Sequence, residues 1–203
     1  MTSQIRPAVL QAFLDAAEAS YMAAGADTRF RACVERVFGA LDTVHPCPGT
    51  PVQRVPASRL LGDALRPARR AGGSLETLAN RVGDIDPLLN WRVRSSGEPT
   101  ASASYADGHA NAMIVGPGGV EERTDVWIGL SLLAPDVRYP DHRHPPEEAY
   151  LVLSEGQFRH GERAWFTPGV GGTLYNDPGI VHAMRSTSTE PLLALWCLPV
   201  SGA

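Results

Sequence analysis

The chain has 203 residues, 43% hydrophobic and 20% charged, with a formal net charge of −4. That length suits one core, or one core with a helical extension, and no apolar run reaches the roughly 20 residues a membrane span requires. Beyond Arg66, Arg69 and Arg70, which read as a solvated face, there is no basic tract, so neither nucleic acid nor a membrane is expected as a partner.

The first segment, from Leu10 to Met22, reads as an amphipathic helix. Leu10, Phe13, Leu14, Ala17, Tyr21 and Met22 recur at three- and four-residue spacing, and Gly25 stops the run. Asp15 and Glu18 interrupt its apolar stretch, which argues against a signal peptide and makes the cytoplasm the expected location. Phe30, Cys33, Val34, Val37, Phe38 and Leu41 repeat the helical spacing. Pro46, Pro48, Gly49, Pro51 and Pro56 then mark an irregular connector. Ser58 is positioned to cap a helix carrying Leu60, Leu61 and Leu65, and Ser74 another carrying Leu75, Leu78 and Val82.

Past Asp86-Pro87 the character changes to short β-favouring runs. They are Trp91 to Arg94, Asn111 to Val115, Val126 to Leu133, Ala149 to Leu153, Gln157 to Arg159, Thr173 to Tyr175, Val181 to Arg185 and Leu192 to Leu198. Glu155-Gly156 is expected to form a tight hairpin between two of them. Many short strands separated by turns predict a sandwich or small barrel, divided from a helical segment near residue 90.

The chemistry concentrates in His142-Arg-His144-Pro-Pro-Glu-Glu148, with His182 38 residues beyond His144. In an extended strand, residues two apart share a face, so His142 and His144 are expected to point inward together. Imidazole and carboxylate donors together suit iron, manganese, cobalt, nickel or zinc. An ion held by a few side chains keeps positions free for a substrate. All 18 basic residues are Arg, which excludes a lysine base or Schiff base. Cys33, Cys47 and Cys197 form no CxxC pair, so neither a disulfide framework nor a zinc knuckle is expected, and Cys33 reads as a core residue.

These motifs resemble those of the cupin superfamily: His142-x-His144-x3-Glu148, then Gly156, Gly171 and Pro178-Gly179-Ile-Val-His182. Two positions depart from the pattern. The proline stands at 178 where the pattern puts it at 177, and Ser186 occupies a place often held by Asn. The segment Tyr139-Pro140-x-His142-x-His144-x3-Glu148-x-Tyr150 is further similar to the cupin-type dimethylsulfoniopropionate (DMSP) lyases of marine bacteria, the DddQ type in particular, with DddL and DddW as relatives. The resemblance implies a mainly β cupin double-stranded β-helix (a jelly-roll barrel) over residues 91–203, with an N-terminal α-helical extension over residues 1–90. It implies metal ligation by His144, Glu148 and His182, with His142 in or beside the ligand set. Tyr139 would line the pocket and Tyr150 would sit at or next to the ion.

The implied reaction is a carbon–sulfur lyase step, cleavage of DMSP to dimethyl sulfide and acrylate by β-elimination. Removing a proton alpha to a carboxylate builds negative charge, which a divalent cation would spread. Tyr139 or Tyr150 is the expected base, since a nearby cation favours a phenolate. The sulfonium needs aromatic faces, for which Trp127, Trp165, Phe166, Tyr175 and Trp196 are candidates. The expected partner is a small zwitterion and, at most, a second copy of the chain. Glu147 and His160 are expected to face solvent, and His45 and His109 to sit in loops. Two rivals stand beside this reading. One is a cupin dioxygenase or sugar isomerase with the same ligands. The other is a non-catalytic cupin sensor of the anti-sigma-factor kind, against which the wide separation of Cys33 and Cys47 counts.

Overall fold

The computed structural model describes residues 5–25, 27–49, 51–94 and 99–200. Helix α1 (Ala8–Ala24) buries Leu10, Phe13, Leu14, Ala17 and Tyr21, the stripe expected from their spacing. Helix α2 (Thr28–Ala40) starts at Asp27, whose carboxylate accepts from the backbone N–H groups of Arg29 and Phe30 and buries Phe30, Cys33, Val34, Val37 and Phe38 behind it.

The next helical region differs from expectation. Ser58 lies inside a 3-10 turn (Pro56–Leu60), and its hydroxyl donates back to the Val55 carbonyl instead of capping a helix. Pro67 has no N–H to continue a helix, so the chain breaks into α3 (Leu61–Ala64) and α4 (Arg66–Ala71). Helix α5 (Gly73–Ile85) begins after Gly72, at φ 76°, with no side-chain cap from Ser74. A second 3-10 turn (Asp86–Leu88) leads into the strands.

The strands are β1 (Trp91–Arg92), β2 (His109–Val115), β3 (Val126–Leu133), β4 (Arg138–His142), β5 (Glu148–Val152), β6 (Gly156–His160), β7 (Thr173–Asn176), β8 (His182–Ser186) and β9 (Leu192–Pro199). A single helical turn, α6 (Tyr105–Gly108), precedes β2. The large sheet runs β1-β2-β3-β9-β5-β7 and the small one β4-β8-β6, with antiparallel pairing throughout. Glu155-Gly156 is therefore not a hairpin turn. It carries the chain from β5 in the large sheet to β6 in the small one.

Period-two alternation sorts the large sheet's side chains. Ala110, Ala112, Ile128, Leu130, Ala149, Leu151, Leu193, Leu195 and Cys197 share one buried cluster with the stripes of α1, α2 and α5. Their sequence neighbours Tyr150, Val152, Leu192 and Ala194 pack instead with Tyr139, Phe158 and Met184 of the small sheet. The helices thus cover the outer face of the large sheet, and the space between the sheets forms the barrel interior. An ion-pair network ties the first helix's approach to the barrel. Arg6 Nε lies 2.6 Å from Glu121 Oε2, and Arg123 bridges Glu121 (3.3 Å) and Asp125 (2.7 Å).

Candidate metal centre and its cavity

The small sheet brings two imidazoles together. β4 ends at His142, which lies opposite His182, the first residue of β8. A bulge between Tyr139 and His142 contains Pro140, a residue that cannot donate to a strand ladder. Pro145 and Pro146 then reverse the chain so that Glu148 opens β5. The strand stops at His142, so His144 reaches inward from this proline-held turn rather than from the extended strand expected for it.

The ligand atoms of His144, Glu148 and His182 all lie within 4.8 Å of one another. Glu148 Oε2 is 3.1 Å from His144 Nε2 and 3.3 Å from His182 Nε2. The His142 ring stacks beside this trio, its centroid 4.0 Å from that of His182 and 6.4 Å from that of His144. Each Nδ1 is turned to a main-chain carbonyl: Pro140 O for His142 (2.9 Å), Pro146 O for His144 (2.9 Å) and Ile180 O for His182 (3.1 Å). A carbonyl can only accept, so each Nδ1 carries the proton and each Nε2 of a neutral ring presents a lone pair.

The donor set fits a cation. His182 Nε2 is buried and makes no hydrogen bond, because its 3.3 Å approach to Glu148 is not aligned for one. Lone pairs from two rings and a carboxylate oxygen then face a common point, which a shared positive charge would satisfy. Asn176, opposite Glu148 in the β5–β7 register, donates from Nδ2 to Glu148 Oε2 at 2.9 Å, and its Oδ1 sits 2.7 Å from His160 Nε2.

The charges of these groups act strongly on one another. Burial opposes a charged Glu148, but contacts with His144 and His182 outweigh it and hold the carboxyl far below its usual range. Burial also opposes protonation of His144, yet the adjacent carboxylate raises it overall. Burial, reinforced by His182, depresses His142 to about 3, so that ring is neutral at ordinary pH. Tyr150 is pushed well above the normal phenol value by burial and by the neighbouring Glu148 charge.

A cavity of about 380 Å³ opens over these groups. Tyr139, Tyr150, His142, His144 and Glu148 line it, with Trp127, Trp196, Met113 and Met184 as apolar wall and Arg92 and Arg94 toward its rim. Trp196 points inward because Gly129 lies beneath it, where a Cβ would come within 2.3 Å of the indole. The structure does not bring three of the five expected aromatic residues to this cavity. Trp165 lies on the outside of the small sheet, under the guanidinium groups of Arg138, Arg159 and Arg185 at 5.4, 5.0 and 4.3 Å. Tyr175 lies on the outer face of the large sheet, its ring 5.0 Å from Arg29 and its hydroxyl donating to Glu147 at 2.6 Å. Phe166 is exposed.

Other expected placements also change. Glu147 is engaged by Tyr175 and Arg36 rather than facing solvent, and His160 is half-buried against Asn176. His109 is fully buried at the start of β2. Its ring stacks on Tyr105 at 3.8 Å, and its Nε2 accepts from the Arg94 backbone N–H at 2.7 Å. Asn111, Ser131 and Asn176 were not picked out by sequence reasoning. The signal for them is cross-strand register, which a single sequence does not print. A larger concavity of about 570 Å³ lies among Arg54, Arg59 and Arg69 on the helical segment. Asp86 pairs with Arg54 there and Asn80 with Arg69, and the cluster of possible metal ligands found among the described residues, His144, Glu148 and His182, lies at the smaller cavity instead.

Compared with known families, residues 29–194 match the model of the dimethylsulfoniopropionate lyases. The chain is 27% identical over 164 residues to the DMSP lyase DddQ of Ruegeria pomeroyi, covering 76% of this chain and 74% of that protein. It is 27% identical over 144 residues to DddL of Cereibacter sphaeroides, a candidate lyase for the same compound; that match covers 70% of this chain and 59% of DddL's length. The crystal structure of DddQ from R. pomeroyi DSS-3 superposes with a TM-score of 0.72 at 23% identity, over 96% of this chain and 94% of that one. At that identity the likeness speaks for the fold, and it bears out the expected mainly β cupin architecture with helices in front.

Proposed function

The chain belongs to the dimethylsulfoniopropionate lyase family, and from that membership we propose that it cleaves DMSP to dimethyl sulfide and acrylate. The observation that carries the proposal is the convergence of His144, Glu148 and His182 in an aromatic-walled cavity that also holds two tyrosines. In this reading the trio holds one divalent transition ion (iron, manganese, zinc, cobalt or nickel), with His142 at its side. When bound, the ion supplies Lewis acidity toward a substrate carboxylate.

The chain's own residues do the rest. Trp127 and Trp196 offer ring faces to the sulfonium, each contact worth about 0.5–2 kcal/mol. Met113 and Met184 complete the apolar wall on that side. Tyr139, as phenolate, takes the alpha proton. The C–H electron pair becomes the C=C bond, the Cβ–S bond breaks, and dimethyl sulfide leaves as a neutral molecule carrying the electron pair of the broken C–S bond. Since the leaving group departs uncharged, no general acid is required. Tyr150, two residues beyond Glu148 on β5, serves beside the ligand set.

Every group in this scheme falls within residues 91–203, so the barrel is the proposed catalytic unit, residues 1–90 are its brace, and no second copy of the chain is needed. Cys33, Cys47 and Cys197 are free thiols, which suits work in the reducing cytoplasm. The test is headspace dimethyl sulfide from DMSP, measured on the protein as purified, after chelation, and after reloading with each candidate ion. Sulfide release that disappears with chelation and returns with an ion supports the reading. A metal-loaded protein that consumes oxygen and releases no dimethyl sulfide would replace it with the dioxygenase.

A further inference from the structure

The inner face of the large sheet carries a polar row that the scheme above leaves unused. Asn111 on β2 lies opposite Ser131 on β3, and Trp196 on β9 reaches Ser131 from the far side. Trp196 Nε1 is 3.1 Å from Ser131 Oγ, Ser131 Oγ is 2.7 Å from Asn111 Oδ1, and Asn111 Nδ2 is 3.4 Å from Tyr139 Oη.

The row has a direction. An indole N–H can only donate, so Ser131 accepts from Trp196 and gives its own proton to Asn111 Oδ1. That fixes the amide, with its oxygen toward Ser131 and its NH2 toward Tyr139. The end of an Asn side chain is ordinarily ambiguous, but here a tryptophan two strands away decides it. The last bond is the longest of the three, so its effect is directional more than energetic. The Tyr139 ring is separately pinned by edge-on contacts with Tyr105 (5.3 Å) and His109 (5.9 Å). With the ring fixed, an NH2 group on one side of its oxygen leaves the other in-plane position facing the cavity.

We propose that Asn111 and Ser131 are positioning residues that aim the Tyr139 oxygen at the substrate's alpha carbon, with Trp196 setting the polarity of the chain. The inference rests on Tyr139 taking the proton. Misplacement of a reacting atom by about 1 Å commonly costs on the order of 100-fold in rate. Asn111→Leu keeps size and removes the donor. Its kcat is expected to fall at least tenfold, while KM and bound metal stay within about twofold of wild type. Ser131→Ala frees the amide to turn and should lower kcat less, again without moving KM. Ser131→Thr keeps the hydroxyl and should restore turnover.

A purely structural role would lower the melting temperature or the metal content and would not separate Thr from Ala at position 131. Tyr139→Phe is the control. If Tyr139→Phe turns over like wild type, the tyrosine-base reading falls and takes this inference with it. If Tyr139→Phe is inactive while Asn111→Leu or Ser131→Ala keeps wild-type kcat, or either acts on KM alone, the positioning role is wrong and the base stands. Should Asn111→Leu fail to fold, the Ser131→Ala and Ser131→Thr pair decides the matter.

Discussion

Replacing Asn176 by Ala should weaken metal binding without unfolding the protein. Asn176 is wholly buried and gives the Glu148 carboxylate a hydrogen bond of 2.9 Å. A bond of this kind, to a charged acceptor, is worth about 1.5–3 kcal/mol. Partners that orient a metal ligand typically contribute 10–100-fold in affinity, which at about 1.36 kcal/mol per decade is roughly 1.4–2.7 kcal/mol. The two routes agree, so a 10–100-fold rise in Kd is expected. Competition between the protein and a chromophoric chelator for cobalt or zinc would measure it, with Glu148→Ala as the more severe reference. His160 loses its partner in the same variant, so His160→Ala should be measured alongside to separate that loss. An Asn176→Ala protein that is folded and binds metal within twofold of wild type would refute the claim that this amide orients the ligand.

The remaining expectations concern the scaffold around the site. Glu121→Gln should cost about 3–5 kcal/mol in urea unfolding, because Arg123, with a side chain 1% exposed, would lose a buried counter-charge; a loss under about 1 kcal/mol would show that the network is not holding the N-terminal segment. Asp125 is lowered to about 2, chiefly by its hydrogen bond from Arg123, and Glu121 is lowered too, its ties to Arg6 and Arg123 overcoming burial. Depressed carboxyls stabilise the fold above their unfolded values and stop doing so as pH falls through the folded ones. Thermal stability should therefore drop between about pH 4.5 and pH 2, and a Glu121→Gln/Asp125→Asn variant should flatten that slope. Gly129→Ala places a Cβ 2.3 Å from the Trp196 ring and 2.6 Å from Ala112 O, so turnover should fall as the indole shifts; unchanged kinetics would mean that the ring's position does not matter. Trp165→Leu should leave turnover within about twofold of wild type while lowering stability by about 1–3 kcal/mol, since it removes three arginine contacts outside the cavity.

Where local pattern determined structure, the sequence was a good guide. The stripe of α1 and the run Val126 to Leu133 appear as expected, while the gathering of His144, Glu148 and His182 was legible from the chemistry of their motifs rather than from local pattern. Strand β4 was missed because Pro140, Asp141 and Arg138 break any alternation, and the bulge that tolerates the proline depends on the partner strand β8. The facing of Trp196 was undecidable from its run because β9 is buried on both sides and so is apolar almost throughout. Trp165 and Trp127 are alike in sequence terms, and only tertiary placement separates them: Trp127 stands on β3 and walls the cavity, whereas Trp165 lies in the segment between β6 and β7, against arginines on the outside of the small sheet. His109 reads locally as a loop residue, but the strand it opens is covered by Tyr105 and Tyr139. What escaped prediction was pairing between distant segments, which is set by long-range register rather than by neighbours in the chain.

The clothing of the large sheet by helices has an evolutionary consequence. Along β5 and β9, Ala149, Leu151, Leu193, Leu195 and Cys197 pack under the helices, whereas Tyr150, Trp196 and Leu198 between them face the cavity, so substitutions at the two sets should have separable effects on the fold and on the guest. Substrate preference can therefore drift through those cavity positions while their sequence neighbours keep the protein standing. A saturation survey of β5 and β9 should show this directly, with tolerance for abundance and tolerance for turnover oscillating out of phase along each strand.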